Sequence, residues 1–276
     1  MRCRHAQANR SSDRSRKGTC KRSSRTGEDI KEAAGGILSA QAAQKASSEE
    51  IKMVVKVYGK AQAVCPQRVM HCLVELGVPF ELVHIDIDAM EHKLPEFMSK
   101  QPFGQVPYIA DGDFELFESR AIVRYLAAKY SDRRHGTPNL LGRTPEERAR
   151  VEQWMDVEAI NYNPWAFPVV LNLFVLPMHG VPENKAEAAA AVEKLDQVLE
   201  VYEKHLSKSK YLAGDEFTLA DLTHIPATRY VVECCGMGRI FDEKKHVKAW
   251  WEDITGRPAW KKVMSFVESG ASNYYP

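Results

Sequence analysis

From residue 53 onward the chain changes its hydrophobic period in an ordered way. Met53-Val54-Val55-Lys56-Val57-Tyr58 is a run rich in β-branched residues that predicts a strand, and Gly59 breaks it. Pro66 to Leu76 then sets Val69, Leu73 and Leu76 on one helical face, closed by Gly77. Phe80 to Ile87 predicts a second strand, so the first three elements imply a parallel pair joined by a right-handed crossover. Pro107–Ala110 and Phe114–Phe117, on either side of Asp111-Gly112-Asp113, predict a hairpin, followed by a helix over Arg120–Tyr130 opened by Ser119. Beyond about residue 143 no segment has strand character. Pro145 to Ile160, Glu183 to Leu206, Leu219 to Cys234 and His246 to Thr255 have helical spacing. Thr218-Leu219-Ala220-Asp221 reads as a capping box, with Phe217 and Leu222 placed to staple it.

This βαβ…ββα order is that of a thioredoxin-like domain, and an all-α bundle follows it. The expected organisation is a disordered basic leader over 1–52, the thioredoxin-like domain over 53–133 and the all-α domain over 144–268. A cis proline before the third strand would complete the pattern, and Pro107 stands at that place.

Composition narrows the possibilities. With 276 residues, 44% of them hydrophobic, the chain can bury one large core or two modest ones. Residues 1–27 carry nine Lys and Arg against one acid, Asp13, whereas the rest carries 29 basic against 36 acidic residues. The positive charge therefore sits in a tail and not on a folded surface, which argues against nucleic acid as a partner. The longest apolar run, Trp165 to Pro177, contains Pro168 and Asn172 and is too short to span a bilayer, so a soluble, cytoplasmic protein is expected and not an integral membrane one. The Arg/Ser-rich leader has two readings: an inert extension ahead of a chain that begins at Met53, or a transit peptide directing the protein to a plastid. The six cysteines, at 3, 20, 65, 72, 234 and 235, form neither a zinc pattern nor a disulfide framework, so no metal is expected and a reducing compartment fits.

The most informative stretch is Gln101-Pro102-Phe103-Gly104-Gln105-Val106-Pro107 together with Phe117-Glu118-Ser119-Arg120-Ala121-Ile122. A turn, a Val-Pro step into a strand and a helix start bring backbone groups and a carboxylate to one place, suited to a small peptide with free carboxylates. With Glu91-His92-Lys93, Asp111-Gly112-Asp113, Gln153-Trp154-Met155-Asp156-Val157-Glu158, Tyr211-Leu212-Ala213-Gly214 and Ala249-Trp250-Trp251, the chain from Met53 to about Phe266 resembles the soluble glutathione transferases, and among them the plant phi class. Ala63-Val64-Cys65-Pro66-Gln67-Arg68-Val69 and His84-Ile85-Asp86-Ile87-Asp88 look most like its anthocyanin- and flavonoid-associated branch.

The resemblance implies a homodimer that uses glutathione as co-substrate. Glu118 and Ser119 match the positions that hold the γ-glutamyl end. Ser119 can offer a hydroxyl and a helix-start amide to the carboxylate, and Glu118 can accept from the ammonium. His92 and Lys93 match the residues facing the glycyl carboxylate, and Gln105 and Val106 those lining the peptide between. Singly, each pair has a plain structural account, a helix cap or a solvated loop. Their joint occurrence in order favours the binding role.

Catalysis departs from the family pattern. The Ser that donates to the glutathione sulfur in phi enzymes should stand at position 63, which is Ala63. Cys65, before Pro66 at the first turn of a helix, has three open readings: a structural thiol, a substitute thiol donor to glutathione, or the redox nucleophile of a glutathione-dependent thiol transferase or reductase. Cys72 reads as core. A protein that keeps the glutathione pocket but activates the thiol weakly suits carriage of a hydrophobic aromatic molecule such as a flavonoid. Tyr162, Trp165 and Phe167 are the aromatic candidates for that site, and bundle core accounts for them equally well.

Overall fold

The computed structural model describes residues 54–131, 138–270 and 272–274. The leader expected over 1–52, with Cys3 and Cys20, lies outside the described residues.

Strand β1, Val55–Gly59, buries Val55 and Val57 and leaves Lys56 exposed, the alternation of a strand with one packed face. Helix α1, Val64–Glu75, follows it, and β2, Phe80–His84, returns parallel to β1 with Val55 opposite Phe80 and Gly59 opposite His84. After a short 3-10 turn at Glu91–Lys93 and a four-residue helix α2, Pro95–Met98, the chain enters β3, Tyr108–Asp111, through a cis Val106-Pro107 bond, as expected for Pro107. Strand β3 runs antiparallel to β1, and β4, Phe114–Phe117, pairs antiparallel with β3. Helix α3 is Ser119–Tyr130, packed on α1.

The sheet has a fifth strand that the pattern does not signal. Asn273–Tyr274, β5, pairs antiparallel with β2 and gives the order β4-β3-β1-β2-β5. The Tyr274 ring lies 5.6 Å from Phe80 and 6.2 Å from Phe266, so aromatic packing holds the tail on an edge that would otherwise present free backbone groups.

The helical part begins with α4, Pro145–Met178, which is one continuous run of 34 residues and not a helix ending near Ile160. Thr144 caps it by accepting from the Glu147 amide at 3.2 Å, and Pro145 occupies the first turn, where a missing N–H is harmless. Two π turns interrupt it, Glu158–Tyr162 and Leu171–Val175. Each stands just ahead of a proline, Pro164 and Pro177, whose absent N–H leaves a carbonyl one turn earlier without its usual partner. The wider turn absorbs the mismatch. By length and composition α4 contains a window, of mean hydropathy 1.2, able to cross a membrane. The bilayer-length argument based on Trp165 to Pro177 alone therefore does not hold. What fixes α4 here is its packing on α5, Lys185–Leu206, through Ala166, Val169 and Val170.

The remaining helices are α6, Leu219–Leu222; α7, Ile225–Arg229, continued by a π turn over Tyr230–Cys234; α8, Arg239–Asp242; α9, Lys245–Gly256; and α10, Pro258–Ser269. The capping box is present. Buried Asp221 accepts from the Thr218 amide at 3.0 Å, the Leu212 amide at 3.0 Å and the Trp250 indole at 2.9 Å, so one carboxylate ties α6 to α9.

Helix α10 packs back on α1, and the Arg257 guanidinium reaches Glu75 at 2.6 and 2.8 Å while lying over the Phe217 ring. Burial pushes the Glu75 carboxyl up, but Arg257 and His71 outweigh it and hold it at about 2, below the ordinary 4.5. A depressed folded value means that the contribution is complete above 4.5 and is lost as pH falls toward 2. Urea unfolding should therefore show a loss of about 2–3 kcal/mol between about pH 5 and pH 2, and Glu75→Gln should flatten that fall.

Candidate functional site

The site is assembled on one buried carboxylate. Val151, Trp154, Met155, Glu158 and Tyr162 form the packed stripe of α4, so Glu158 faces inward with no exposed surface. It meets Arg120 of α3 in a two-pronged pair at 2.5 and 2.8 Å, and Arg68 of α1 at 3.4 Å. Burial pushes the Glu158 carboxyl up, yet the two guanidiniums prevail and keep it below the usual carboxylate range.

Arg68, itself fully buried, carries this network to the surface. Its Nε donates to the Thr223 carbonyl at 3.2 Å, and its Nη1 donates both to Ser119 Oγ at 2.8 Å and to Cys65 Sγ at 3.4 Å. Ser119 and Cys65 thus share one donor nitrogen. A hydroxyl that accepts from a guanidinium has its own proton free to point elsewhere, so Ser119 remains able to donate outward. Cys65 and Arg68 are three residues apart on a helix and share a face, which brings the Cys65 thiol toward the site.

Ser119 is the first residue of α3, and Glu118 before it adopts φ 69° and ψ 102°, a conformation of order 1–3 kcal/mol above the common regions for a residue with a side chain. The turn leaves Glu118 exposed beside the helix start, whose first amides lack partners within the helix. Strain of this kind persists where surrounding contacts over-determine it, and the Arg68 to Ser119 bond is such a contact.

The segment at Gly104 to Val106, expected to line a peptide, is positioned by close backbone approach. Gly104 has φ +57°, and a Cβ there would lie 2.8 Å from Lys93 Cδ and 2.9 Å from the His92 carbonyl oxygen. The absent side chain lets His92 and Lys93 pack on Gly104, next to Gln105 and Val106. The Gln105 amide donates to buried Gln101 Oε1 at 3.1 Å, and Lys93 Nζ donates to the Phe103 carbonyl at 3.2 Å. Partial burial and the Lys93 charge lower the His92 imidazole from its ordinary value, and among the described residues His92 Nδ1 has no hydrogen-bond partner. In this corner Lys93 supplies the charge and His92 a neutral ring with an unused nitrogen.

The loop between β1 and α1 is held from several sides. Gln67 Nε2 donates to the Ala61 carbonyl at 3.0 Å, the Tyr230 hydroxyl to the Gln62 carbonyl, and Lys60 pairs with Asp88, which His179 at the end of α4 also reaches at 3.4 Å. Gly59 permits this closeness, since a Cβ there would meet Pro66 Cγ at 2.8 Å. Ala63 is the N-cap of α1 and gives the helix no side-chain acceptor.

Of the aromatic candidates, Tyr162 belongs to the core. It has no exposed surface, its hydroxyl pairs with Thr228 Oγ1 at 2.6 Å and its ring packs on Tyr202 and His224, so it is withdrawn as a contact for a ligand. Trp165 and Phe167 are exposed, at 38% and 53%. Phe174 packs 5.1 Å from Tyr230, whose hydroxyl reaches the Gln62 carbonyl of the β1–α1 loop, and neither was signalled by the sequence because that contact spans 168 residues. Arg68 had entered only as part of the Ala63 to Val69 motif, and the role of Glu158 was also missed. A Glu on an otherwise apolar helical stripe was the available clue. Cys72 is core, as expected, with Sγ donating to the Val123 carbonyl at 3.7 Å and burial pushing its pKa up.

Comparison with known proteins agrees with this geometry. The family described as glutathione S-transferase, N-terminal domain matches residues 53–128, and glutathione S-transferase, C-terminal domain matches 166–258. Glutathione S-transferase F12 of Arabidopsis thaliana is 49% identical over 212 residues, covering 77% of this chain and 98% of that protein. Among solved structures, glutathione transferase F7 from Populus trichocarpa has a TM-score of 0.73 at 44% identity, over 77% of this chain and 98% of its own. Glutathione S-transferase I from mais, in complex with an atrazine glutathione conjugate, has a TM-score of 0.71 at 38% identity, over 79% of this chain and 100% of its own. The chain belongs to the glutathione S-transferase family, in its plant phi (F-type) class. It is a glutathione transferase of the thioredoxin-like plus all-α fold, with glutathione as its co-substrate.

Replacing Arg68 with Met would leave Glu158 to Arg120 alone and remove the donor shared by Ser119 and Cys65. Denaturant unfolding should record a loss of about 3–5 kcal/mol, as for other buried ion pairs broken on one side.

Proposed function

We propose that this phi-class transferase holds glutathione at His92, Lys93, Gln105, Val106, Glu118 and Ser119, and takes a hydrophobic aromatic ligand, a flavonoid or anthocyanin, beside it. Its main work on this reading is carriage, as a cytoplasmic homodimer free of the membrane, with weak conjugation. The observation that carries the reading is Ala63: the cap of the first helix offers no hydroxyl, while Arg68 on that helix holds Ser119 at the start of α3. Conjugation then proceeds by attack of the glutathione thiolate on an electrophilic carbon, favoured by positioning more than by a hydrogen bond at the sulfur. Trp165 and Phe167, with the half-buried Phe174, supply the apolar wall for the second ligand.

A second reading rests on the 3.4 Å contact between Arg68 and Cys65. On this reading Cys65, at a helix start facing a guanidinium, attacks the glutathionyl sulfur of a mixed-disulfide substrate; the substrate S–S bond breaks, the substrate leaves as its thiol, and a Cys65–glutathione disulfide forms that a second glutathione reduces. Cys65→Ala separates the two. Unchanged conjugation and tight flavonoid binding, about 1 μM or better, support carriage, whereas abolished disulfide exchange supports the redox role.

Ala63→Ser should restore a donor and a helix cap together. A hydrogen bond worth about 1–2 kcal/mol corresponds to a conjugation rate roughly 5–30-fold higher with a generic electrophile. The new cap should also raise unfolding free energy by about 0.5–2 kcal/mol. A gain in stability without a gain in rate would place the weak activation elsewhere. Ser119→Ala should weaken glutathione binding by about 1–3 kcal/mol in calorimetry, and unchanged affinity would remove Ser119 from the binding set.

A further inference from the structure

Three ionisable side chains from three separate segments meet where α4 ends. His179 directly follows α4, Asp88 lies in the loop after β2, and Lys60 lies in the loop between β1 and α1. Asp88 pairs with Lys60 through Oδ2 and faces His179 Nε2 at 3.4 Å through Oδ1, a contact between positions 91 residues apart. The Asp88 loop is tightly folded on itself. Asp86 Oδ1 accepts from the Asp88 and Ala89 amides at 3.0 Å each, and Glu91 Oε2 from the Asp86 amide at 2.7 Å. Asp88 is thereby coupled to the 3-10 turn that holds His92 and Lys93, while His179 stands one turn beyond Phe174 and Val175.

The hydrogen bonds of His179 decide which form of the ring makes this contact. Its Nδ1 lies 2.9 Å from the Val175 carbonyl oxygen, which can only accept, so Nδ1 carries a proton. A neutral ring has no second proton, and its Nε2 lone pair would then face the Asp88 carboxylate. The imidazolium donates to both partners. The Val175 carbonyl and, after it, Asp88 raise His179 from its ordinary 6.5, with Lys60 opposing. Among the described residues, Lys60 and Asp88 are the charged groups that face the ring. Lys60 first, and His179 with it, hold the Asp88 carboxyl below its ordinary 3.8, so Asp88 stays charged while His179 titrates. A raised folded value means that the contact is complete below 6.5 and is lost as pH rises through that raised value. We propose that protonation of His179 ties the end of α4 to the loop carrying His92 and Lys93, and so tightens the hold on the aromatic partner of conjugation in mildly acidic solution. This regulation rests on the placement of that partner at Phe174 given above.

The test follows the KM of the full chain for chlorodinitrobenzene, at saturating glutathione, from about pH 5.5 to about pH 8, the range in which histidine titrates. That KM should rise roughly 2–5-fold as His179 loses its proton, the scale of one exposed ion pair. His179→Gln and Asp88→Asn should hold the high KM at every pH with kcat unchanged. His179→Lys, whose charge does not titrate in this range, should hold the low one. Histidine NMR should place His179 above 6.5 in the unsubstituted protein and nearer 6.5 in Asp88→Asn. Phe174→Ala should raise the KM at all pH values. With that rise present, a KM without a pH step, a step that survives His179→Gln, or a His179 titration untouched by Asp88→Asn overturns the tie alone. An unchanged KM in Phe174→Ala overturns the ligand placement, and the effect of the tie with it.

Discussion

Glu158 has no exposed surface, and a carboxylate taken so far from water is tolerable only when opposite charge and hydrogen bonds replace its hydration. Arg120 and Arg68 do this from α3 and α1, and that requirement sets where the two helices of the sheet portion stand relative to α4. Because Arg68 also donates to Ser119 and Cys65, the same interaction reaches the proposed glutathione site. An apolar residue of similar size at 158 could pack as well, but it would leave Arg68 buried without its carboxylate and Ser119 without a fixed neighbour. The π turn starting at Glu158 supports the arrangement: it reconciles α4 with Pro164 at the point where the carboxylate must be aimed inward.

The functional consequence lies in the contrast between two helix starts. At α3, a strained Glu118, a fixed Ser119 and unpartnered amides form a ready cradle for a carboxylate. At α1, the cap is Ala63, and the nearest reactive atom is the Cys65 sulfur, turned toward Arg68. On the proposed reading, a fold retains the cradle for a tripeptide while the cap of the first helix loses its hydroxyl. Binding depends on many contacts, whereas activation of the thiol depends on one.

Local signals carried much of the architecture. The alternation at Val54–Tyr58, the helical spacing of Val69, Leu73 and Leu76, the hairpin around Gly112 and the Thr218 capping box all appear where their residues predict them. Pro107 takes the cis form its position suggested. The misses have a common cause. The helical spacing reads only as far as Ile160, yet α4 continues through prolines at 164, 168 and 177 because neighbouring helices hold it and π turns absorb the lost hydrogen bonds. The two-residue β5 is too short to have a period, and its place follows from the Phe80 and Phe266 rings. Tyr162, Trp165 and Phe167 look alike as aromatic residues, and only their rotation about α4 separates a core ring from exposed ones.

The sequence by itself determined the order of elements and the thioredoxin-like and all-α parts, since these follow from short-range periodicity and turn chemistry. The tertiary structure alone decided that Arg68 serves Glu158, Ser119 and Cys65 together, that Tyr230 braces the loop before Ala63, and that Glu75 locks to Arg257. Those contacts join residues 51 to 182 positions apart, apart from the helical neighbour Cys65. No local preference encodes such a meeting; it arises when burial forces distant charged and polar groups to satisfy one another.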